Sequence, residues 1–291
     1  MIPWMDSGSR VRTRMEGARH SPVSIVMLAG CVLMLLAGCG FRATRQDSPE
    51  SASPVGHRSP AGPGIREGKA GPSIYPDDQV ALWTPCSQEE IERLCAEADQ
   101  DGLKALNAAS CHAALVMRAF PASRSGGLDI AQEGRRYAEM ACREFPESGL
   151  AHYLAALLTG MEAERNPARG LQLVPVIERE AILASRLNPA IDHGGPDRLL
   201  GELYLRAPGF PMSLGDHKRS AAHFRRALTH DPDYLDNRLG LVEALMAGEE
   251  NREACQELSI AIAGLIGQDR MKDSVRIAIT LLKKLCSRLE E

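Results

Sequence analysis

An alanine that stands five positions before a proline recurs along this chain. The pairs are Ala141 with Pro146, Ala184 with Pro189, and Ala227 with Pro232. Their alanines are spaced 43 residues apart, and Ala261 follows the last of them after 34 residues. Proline ends a helix, and a period of this length is typical of a repeated supersecondary unit. The spacing therefore predicts stacked helical hairpins, which need their neighbours to bury a core.

The hairpin that ends at Pro232 fits the tetratricopeptide repeat pattern. Its residues Gly201 and Tyr204 are followed by Phe224 and Ala227. In this pattern small residues let two helices approach, and a large aromatic side chain fills the groove beside them. Tyr204 and Phe224 lie 20 residues apart, where an uninterrupted repeat has about 13. The difference indicates an insertion between the two helices.

The inserted segment spans residues 207–216 and is too rich in proline and glycine to form a helix. We expect it to form a rigid loop, because its two prolines limit backbone freedom and lower the ordering cost of binding. Phe210 and Met212 offer apolar contact to a solute or partner, and Asp216 is expected to cap the next helix. The alternative is a crossover that only connects two helices.

The rest of the sequence agrees with an all-α fold. Aromatic residues make up only 4% of the chain, and no sustained β-branched alternation typical of strands is present. We predict a solenoid of degenerate tetratricopeptide-like helical hairpins over residues 80–291. The longer first intervals predict an extended turn from Gly160 to Gly170, and the apolar face of Ser274 to Leu289 predicts a closing helix.

The N-terminus has the features of an exported lipoprotein. An arginine-rich stretch precedes the apolar run 23–38, which ends in Leu36-Ala37-Gly38-Cys39. This ending resembles the lipobox of bacterial lipoproteins, which implies lipidation of Cys39 and cleavage before it. Residues 1–38 are therefore predicted to be a lipoprotein signal peptide. The alternative is a signal anchor that stays uncleaved.

Residues 39–79 are predicted to be a disordered linker behind the lipid anchor. They are rich in proline, serine, glycine and arginine and cannot bury a core. The formal net charge of the whole chain is −4, which argues against nucleic acid as a partner.

The cysteines favour a disulfide and not a metal site. Cys95 and Cys111 lie almost symmetrically about the Asp101-Gly102 turn, so an antiparallel hairpin is predicted to pair them. An exported domain meets the oxidising conditions that such a bond needs. No C-x-x-C occurs, and we predict no metal site.

No known catalytic pattern is present in the sequence. His193-Gly194-Gly195 is similar to part of an esterase oxyanion loop, but the chain has no G-x-S-x-G nucleophile motif. Ser213 has no evident base, and no phosphate-binding loop or dinucleotide fingerprint occurs. We therefore predict a protein that is not an enzyme and has no cofactor.

Arg198 is a candidate for ligand binding. The glycines and proline at 194–196 suit the start of a helix, which places Arg198 in its first turn. A guanidinium there could bind the carboxylate of a ligand in bidentate fashion. The alternative is an ion pair with a neighbouring acidic side chain.

These segments together resemble the T-component lipoproteins of TRAP-type solute transporters. The resemblance is carried by Gly194-Gly195-Pro196-x-Arg198-x-Leu200-Gly201-x-Leu203-Tyr204-x-x-Ala207-Pro208, then Pro211-x-Ser213-x-Gly215-Asp216, then Pro232-x-Tyr234-x-x-Asn237. It implies a lipid-anchored solenoid that partners the periplasmic solute-binding (P) component and lacks catalytic residues. It also implies a central channel for a small organic or hydrophobic ligand. The candidate binding residues are Arg198, Tyr204, Pro208, Phe210, Met212, Ser213 and Asp216.

A second function stays open at this point. Other lipoproteins of this architecture are general repeat scaffolds in cell-envelope assembly. In either case we expect a periplasmic protein, and Gly40 after the lipid site favours the outer membrane. Assembly into a homo-oligomer is left open.

Overall fold

The computed structural model describes residues 77, 80–119, 127–266 and 286. Within these ranges the chain forms nine α-helices and no strand. They are α1 (Gln88–Glu97), α2 (Gly102–Ala119), α3 (Leu128–Glu144), α4 (Gly149–Arg165), α5 (Pro167–Leu187), α6 (Ile191–Arg206), α7 (His217–His230), α8 (Leu235–Ala247) and α9 (Asn251–Ile266). None of these helices is both long and apolar enough to cross a membrane.

Several predictions concern residues outside this description. The signal peptide 1–38, the lipidation site Cys39 and nearly all of the linker 39–79 lie outside the described residues. The same is true of the closing helix predicted from Ser274 to Leu289, apart from Cys286.

The helices pack as successive antiparallel hairpins: α2 with α3, α4 with α5, α6 with α7, and α8 with α9. The first helices of neighbouring hairpins also contact each other, α2 with α4, α4 with α6, and α6 with α8. Each hairpin thus buries its apolar side against the next, as in a solenoid. The predicted all-α repeat fold is confirmed.

The repeated alanines mark the ends of the second helices. Ala141, Ala184 and Ala227 have no exposed surface. In α3, α5 and α7, the carbonyl of this alanine accepts the last backbone hydrogen bond of the helix. The donor is the residue just before the repeated proline. The alanine is small enough to pack inside the stack, and the proline stops the helix from continuing.

Phe224 fills the groove predicted for the aromatic residue of the pattern. Its ring is fully buried between the backbones of Gly201 in α6 and Gly240 in α8. A Cβ atom added to Gly201 would lie 2.8 Å from this ring, and one added to Gly240 would lie 2.2 Å from it. The two glycines therefore make room for one phenylalanine that joins three helices.

The extended turn predicted from Gly160 to Gly170 is wrong. Helix α4 runs to Arg165 and α5 begins at Pro167, so only Asn166 separates them. Pro167 occupies the first helical position, where its missing N–H costs nothing. The residues that were assigned to a turn instead lengthen the two helices, whose mutual packing outweighs the helix penalty of about 1 kcal/mol for each glycine.

The predicted Cys95–Cys111 disulfide is also wrong. Cys111 pairs with Cys86, which precedes α1, at a Cα–Cα distance of 5.6 Å. Cys95 lies in α1 as a free thiol, beside the His112 side chain. Near symmetry about a turn does not fix the direction of a side chain, because helical side chains rotate about the axis with a period of 3.6 residues. A second bond joins Cys255 of α9 to Cys286.

Candidate interaction surface

The 207–216 loop joins α6 to α7 and is fixed at its base by backbone hydrogen bonds. The N–H of Asp216 donates to the carbonyl of Tyr204, and the N–H of Gly215 donates to the carbonyl of Pro208, both at 2.9 Å. A Cβ atom on Gly215 would lie 2.0 Å from the carbonyl oxygen of Ala207. Only glycine fits at this crossing of the two ends of the loop.

Further contacts hold the interior of the loop. The N–H groups of Met212 and Ser213 donate to the carbonyl of Gly209, at 3.1 and 3.3 Å. The Leu214 side chain packs against a buried cluster from α5 and α6 formed by Leu173, Val174, Ile177 and Leu203. The loop is therefore folded onto the solenoid through its own backbone and one apolar anchor.

Asp216 caps α7. Its carboxylate accepts hydrogen bonds from the backbone N–H groups of Lys218 at 2.9 Å and Arg219 at 3.0 Å. These N–H groups have no partner within the helix, so the cap satisfies them. The expected N-cap role of Asp216 is confirmed.

Two large apolar side chains project from the folded loop into solvent. Phe210 is 93% exposed and Met212 is 72% exposed. We call these two residues the loop tip. Pro208 and Ser213 are half-buried beside them. Apolar side chains of this size gain about 1.5–3 kcal/mol each on full burial, and the solenoid itself provides no cover for either one.

Tyr204 lies under the loop and not on its surface. Its ring is buried, and its hydroxyl donates to a carboxylate oxygen of Glu178 at 2.6 Å. The guanidinium of Arg219 lies 3.8 Å above the ring and also donates to the hydroxyl. Burial, together with Glu178, raises the pKa of Tyr204 to about 12, so the phenol stays neutral. Its role in this structure is to hold Arg219 next to the loop.

Arg198 is occupied within the chain. Its guanidinium forms an ion pair with the carboxylate of Asp192 and donates to the side-chain oxygen of Asn237 at 3.1 Å. The ring of Tyr234 lies 4.9 Å from it. Burial alone would lower the pKa of Arg198, but the Asp192 carboxylate raises it overall. The ion pair considered as the alternative in the sequence is the arrangement found.

Arg198 and the loop tip lie at opposite ends of α6. About eight helical residues separate Arg198 from the last residue of the helix, which corresponds to roughly 12 Å. The structure therefore brings Tyr204, Asp216 and the loop together, but it does not add Arg198 to that group.

The glycine-rich stretch before Arg198 forms a left-handed turn. Asp192, His193 and Gly194 all have positive φ angles, of 50°, 60° and 84°. The turn directs the Asp192 carboxylate inward, where it accepts hydrogen bonds from Trp83 Nε1 at 2.8 Å and the Tyr153 hydroxyl at 2.7 Å. Burial and the nearby Asp192 charge raise the pKa of Tyr153. The densest part of the sequence pattern is thus a buried joint between hairpins.

A polar contact joins the first helices of the last two hairpins. Arg206 of α6 donates to Glu202 at 3.1 Å and to Glu243 of α8 at 3.0 Å. Burial, reinforced by Glu243, raises the pKa of Glu202 to about 7 in spite of Arg206.

A surface depression at the α8–α9 turn is lined by charged and amide side chains: Glu249, Glu250, Asn251, Arg252, Glu253 and Gln256.

Two groups of side chains that could hold a metal ion were missed in the sequence. They are Cys95 with His112 and Glu133, and Cys142 with His152 and Glu180. Each group draws one residue from each of three successive helices, so no local spacing such as C-x-x-C reveals it. The sequence signal that was available is the position of Cys142 directly after the repeated Ala141.

Comparison with known families agrees with this geometry. Residues 212–263 match the family model described as Tetratricopeptide repeat. The matched stretch begins in the 207–216 loop and continues through α7 and α8 into α9. These residues form tetratricopeptide-type repeats. None of the curated proteins compared with the chain matches it. An all-helical repeat of this type is typically a scaffold for protein interaction and not an enzyme.

Proposed function

We propose that this chain is a membrane-anchored periplasmic accessory lipoprotein of a TRAP-type uptake system. In this proposal it binds the solute-binding component through the loop tip. The observation that carries the proposal is the exposure of Phe210 and Met212 on a loop whose base is fixed by hydrogen bonds. The tetratricopeptide-type repeats support protein binding in general, and the sequence resemblance supports this particular partner.

The energetics favour a contact role for the loop tip. A flexible apolar loop would lose conformational entropy on binding, whereas this loop is already ordered by its backbone contacts. Burial of Phe210 alone is worth about 2 kcal/mol, which corresponds to a factor of roughly 30 in affinity. The tip is thus large enough to act as an anchor in a partner's pocket.

The surroundings of the tip add charge to the contact. Arg219 keeps about half of its side chain exposed, at 49%, and is held in place by Tyr204 and Glu178. The partner surface that fits is an apolar pocket with an acidic rim, because a rim charge directs association while the apolar anchor provides affinity.

The rest of the proposal follows from the sequence. Lipid on Cys39 attaches the mature chain to the membrane, with the outer membrane preferred, and the linker lets the solenoid reach its partner. A small organic or hydrophobic ligand in a central channel belongs to the same proposal. Cys39→Ala is expected to leave the signal peptide uncleaved. Mass spectrometry of the wild-type protein checks the anchor, and a mature N-terminus without acyl chains would contradict it.

Binding to the purified solute-binding component tests the interaction. Phe210→Ala is expected to raise the dissociation constant by about 10-fold or more, while the melting temperature stays close to that of the wild type. Leu171→Ala is the matched control, because Leu171 is 52% exposed on α5 and lies outside the loop. Equal affinities of the wild type and Phe210→Ala would show that the loop only connects two helices.

A general scaffold in envelope assembly is the second candidate, favoured by the repeat match alone. It predicts that the purified solute-binding component fails to bind, while Phe210→Ala still reduces capture of other envelope proteins. Binding of the solute-binding component by the wild-type chain would exclude this candidate as the main function.

A further inference from the structure

Two clusters of cysteine, histidine and glutamate recur at successive levels of the solenoid. Cys95 of α1, His112 of α2 and Glu133 of α3 form the first cluster. The second cluster repeats this order on the next helices, with Cys142 of α3, His152 of α4 and Glu180 of α5. In each cluster the three ligand atoms lie within 4.8 Å of one another. We propose that each cluster is a binding site for a divalent transition-metal ion, with Zn²⁺ as the best fit.

The donor set matches the preference of zinc. Thiolate sulfur, imidazole nitrogen and carboxylate oxygen are its usual ligands, at about 2.0–2.3 Å from the ion. In a tetrahedral site these bond lengths place the ligand atoms about 3.5 Å apart, so a contraction of roughly 1 Å from the observed limit suffices. Three protein ligands leave a fourth position for water. Binding releases the thiol proton to solvent and, at the second site, also the proton that His152 Nδ1 donates to Glu180, because a thiolate and a neutral imidazole are the ligands.

In both clusters a backbone carbonyl fixes one nitrogen of the histidine ring. The carbonyl of Ala108 lies 2.7 Å from Nδ1 of His112, and the carbonyl of Pro146 lies 3.0 Å from Nε2 of His152. A carbonyl can only accept, so that nitrogen must carry the hydrogen. The other nitrogen then faces the carboxylate, at 3.7 Å in the first cluster and 2.6 Å in the second. Histidines that bind metals are oriented by such a second bond.

The cysteines give independent support. Of the six cysteines among the described residues, four are paired in disulfides, Cys86 with Cys111 and Cys255 with Cys286. The two that stay free are Cys95 and Cys142. These are the two cysteines that lie in the clusters. A chain that oxidises its other described thiols thus keeps as thiols the two that have histidine and glutamate beside them.

The next level of the solenoid provides a natural comparison. There Ser185 directly follows the repeated Ala184 and donates to Asp197 at 3.1 Å, and His223 lies 2.8 Å from the same carboxylate. Arg226 also donates to Asp197, at 3.0 Å. Serine replaces the soft thiolate, and the guanidinium supplies the positive charge that a metal would bring. This level is built as a closed polar network and is not expected to bind metal.

Other groups around the clusters leave the ligands accessible to a metal. Glu180 shares its second oxygen with Arg179, whose side chain is 63% exposed and can remain as an outer contact. Glu133 has a 52% exposed side chain, and its nearest further partner is the Tyr137 hydroxyl at 3.5 Å. The second cluster is the more buried of the two, so we expect it to bind more tightly.

Metal titration of the purified full chain with intact disulfides tests the proposal. After treatment with a chelator, Zn²⁺ is expected to bind at two equivalents per chain, and Co²⁺ to produce a thiolate charge-transfer band. Cys95→Ser and Cys142→Ser are each expected to remove one equivalent, with a loss of affinity of about 100-fold or more at that site. Ser185→Ala is the control and should keep both equivalents.

Glu180→Gln gives a second test that keeps the size of the side chain and removes its negative charge. It is expected to weaken the second site while circular dichroism shows an unchanged helix content. A wild-type chain that takes up no Zn²⁺ would overturn the proposal. A cluster whose cysteine can be replaced with no change in metal uptake is not a site.

Discussion

Gly240→Ala should destabilise the solenoid, and the sign of its effect should reverse when Phe224 is shortened. The added methyl group would lie 2.2 Å from the Phe224 ring, which is fully buried. The ring cannot move away, because Gly201 packs on its other side with only 2.8 Å to an added Cβ atom. The overlap must therefore be relieved by separating α7 from α8.

The expected magnitudes follow from this geometry. Overpacking a filled core costs about 1–3 kcal/mol of the free energy of unfolding, even though alanine favours a helix over glycine by about 1 kcal/mol. Phe224→Ala removes the ring and should cost about 3–5 kcal/mol. In that background the alanine at 240 meets empty space, so only its helix preference remains, and it should stabilise by up to about 1 kcal/mol.

A double-mutant cycle measures this coupling. The free energy of unfolding is obtained by urea titration of the wild type, both single variants and the double variant, with the disulfides intact. Phe210→Ala is the control and should stay within about 0.5 kcal/mol of the wild type, because Phe210 is exposed. If Gly240→Ala costs the same in both backgrounds, Phe224 is not the residue that joins these helices.

Three further predictions concern single features of the fold. Gly194→Ala should destabilise by about 1–3 kcal/mol, because φ is +84° and the new Cβ would lie 2.7 Å from the carbonyl oxygen of Ala227. Gly160→Ala is the control and should not destabilise, because its new Cβ would lie 3.9 Å from the Leu199 side chain, an ordinary contact; thermal melting compares the two variants. Non-reducing peptide mapping should recover a Cys86–Cys111 peptide, and a Cys95–Cys111 peptide would contradict the structure. Burial raises the pKa of Glu202 from 4.5 to about 7, so the stability that its neutral form gives the fold at low pH is lost as pH rises to about 7. Glu202→Gln should therefore remove a fall in the free energy of unfolding on the order of 2 kcal/mol between pH 5 and 8. Equal pH slopes of the wild type and the variant in urea titrations would refute this.

The parts of the fold that follow from spacing could be predicted from the sequence. The repeated alanines predicted the ends of the second helices, because a small residue and a helix-ending proline are needed at each level of the stack. The bounds of the 207–216 loop and the cap at Asp216 were also predictable, since proline, glycine and aspartate act through local backbone geometry. Phe210 and Met212 were also predicted to offer apolar contact, and the structure adds how far each side chain is exposed.

The parts that depend on packing between helices could not be predicted. Glycines at 160 and 170 indicated a turn, but contacts between α4 and α5 outweigh a local preference of this size. Arg198 could equally have faced a ligand, and only the left-handed turn at Asp192 shows that its partner lies within the chain.

The cysteines illustrate the same limit. Their spacing cannot show which helix face each thiol occupies, so Cys111 was paired with Cys95 instead of Cys86. The two clusters proposed as metal sites have their side chains on three helices each, and only the stacked structure brings them together.

Photo-crosslinking from position 210 tests the proposed function most directly. A benzophenone amino acid replaces Phe210 in cells that also produce the TRAP solute-binding component of the same organism, and the same replacement at Leu171 serves as the control. We predict that irradiation joins the chain to the solute-binding component from position 210 and not from position 171. No crosslink from position 210, or equal crosslinking from both positions, would contradict binding through the loop tip.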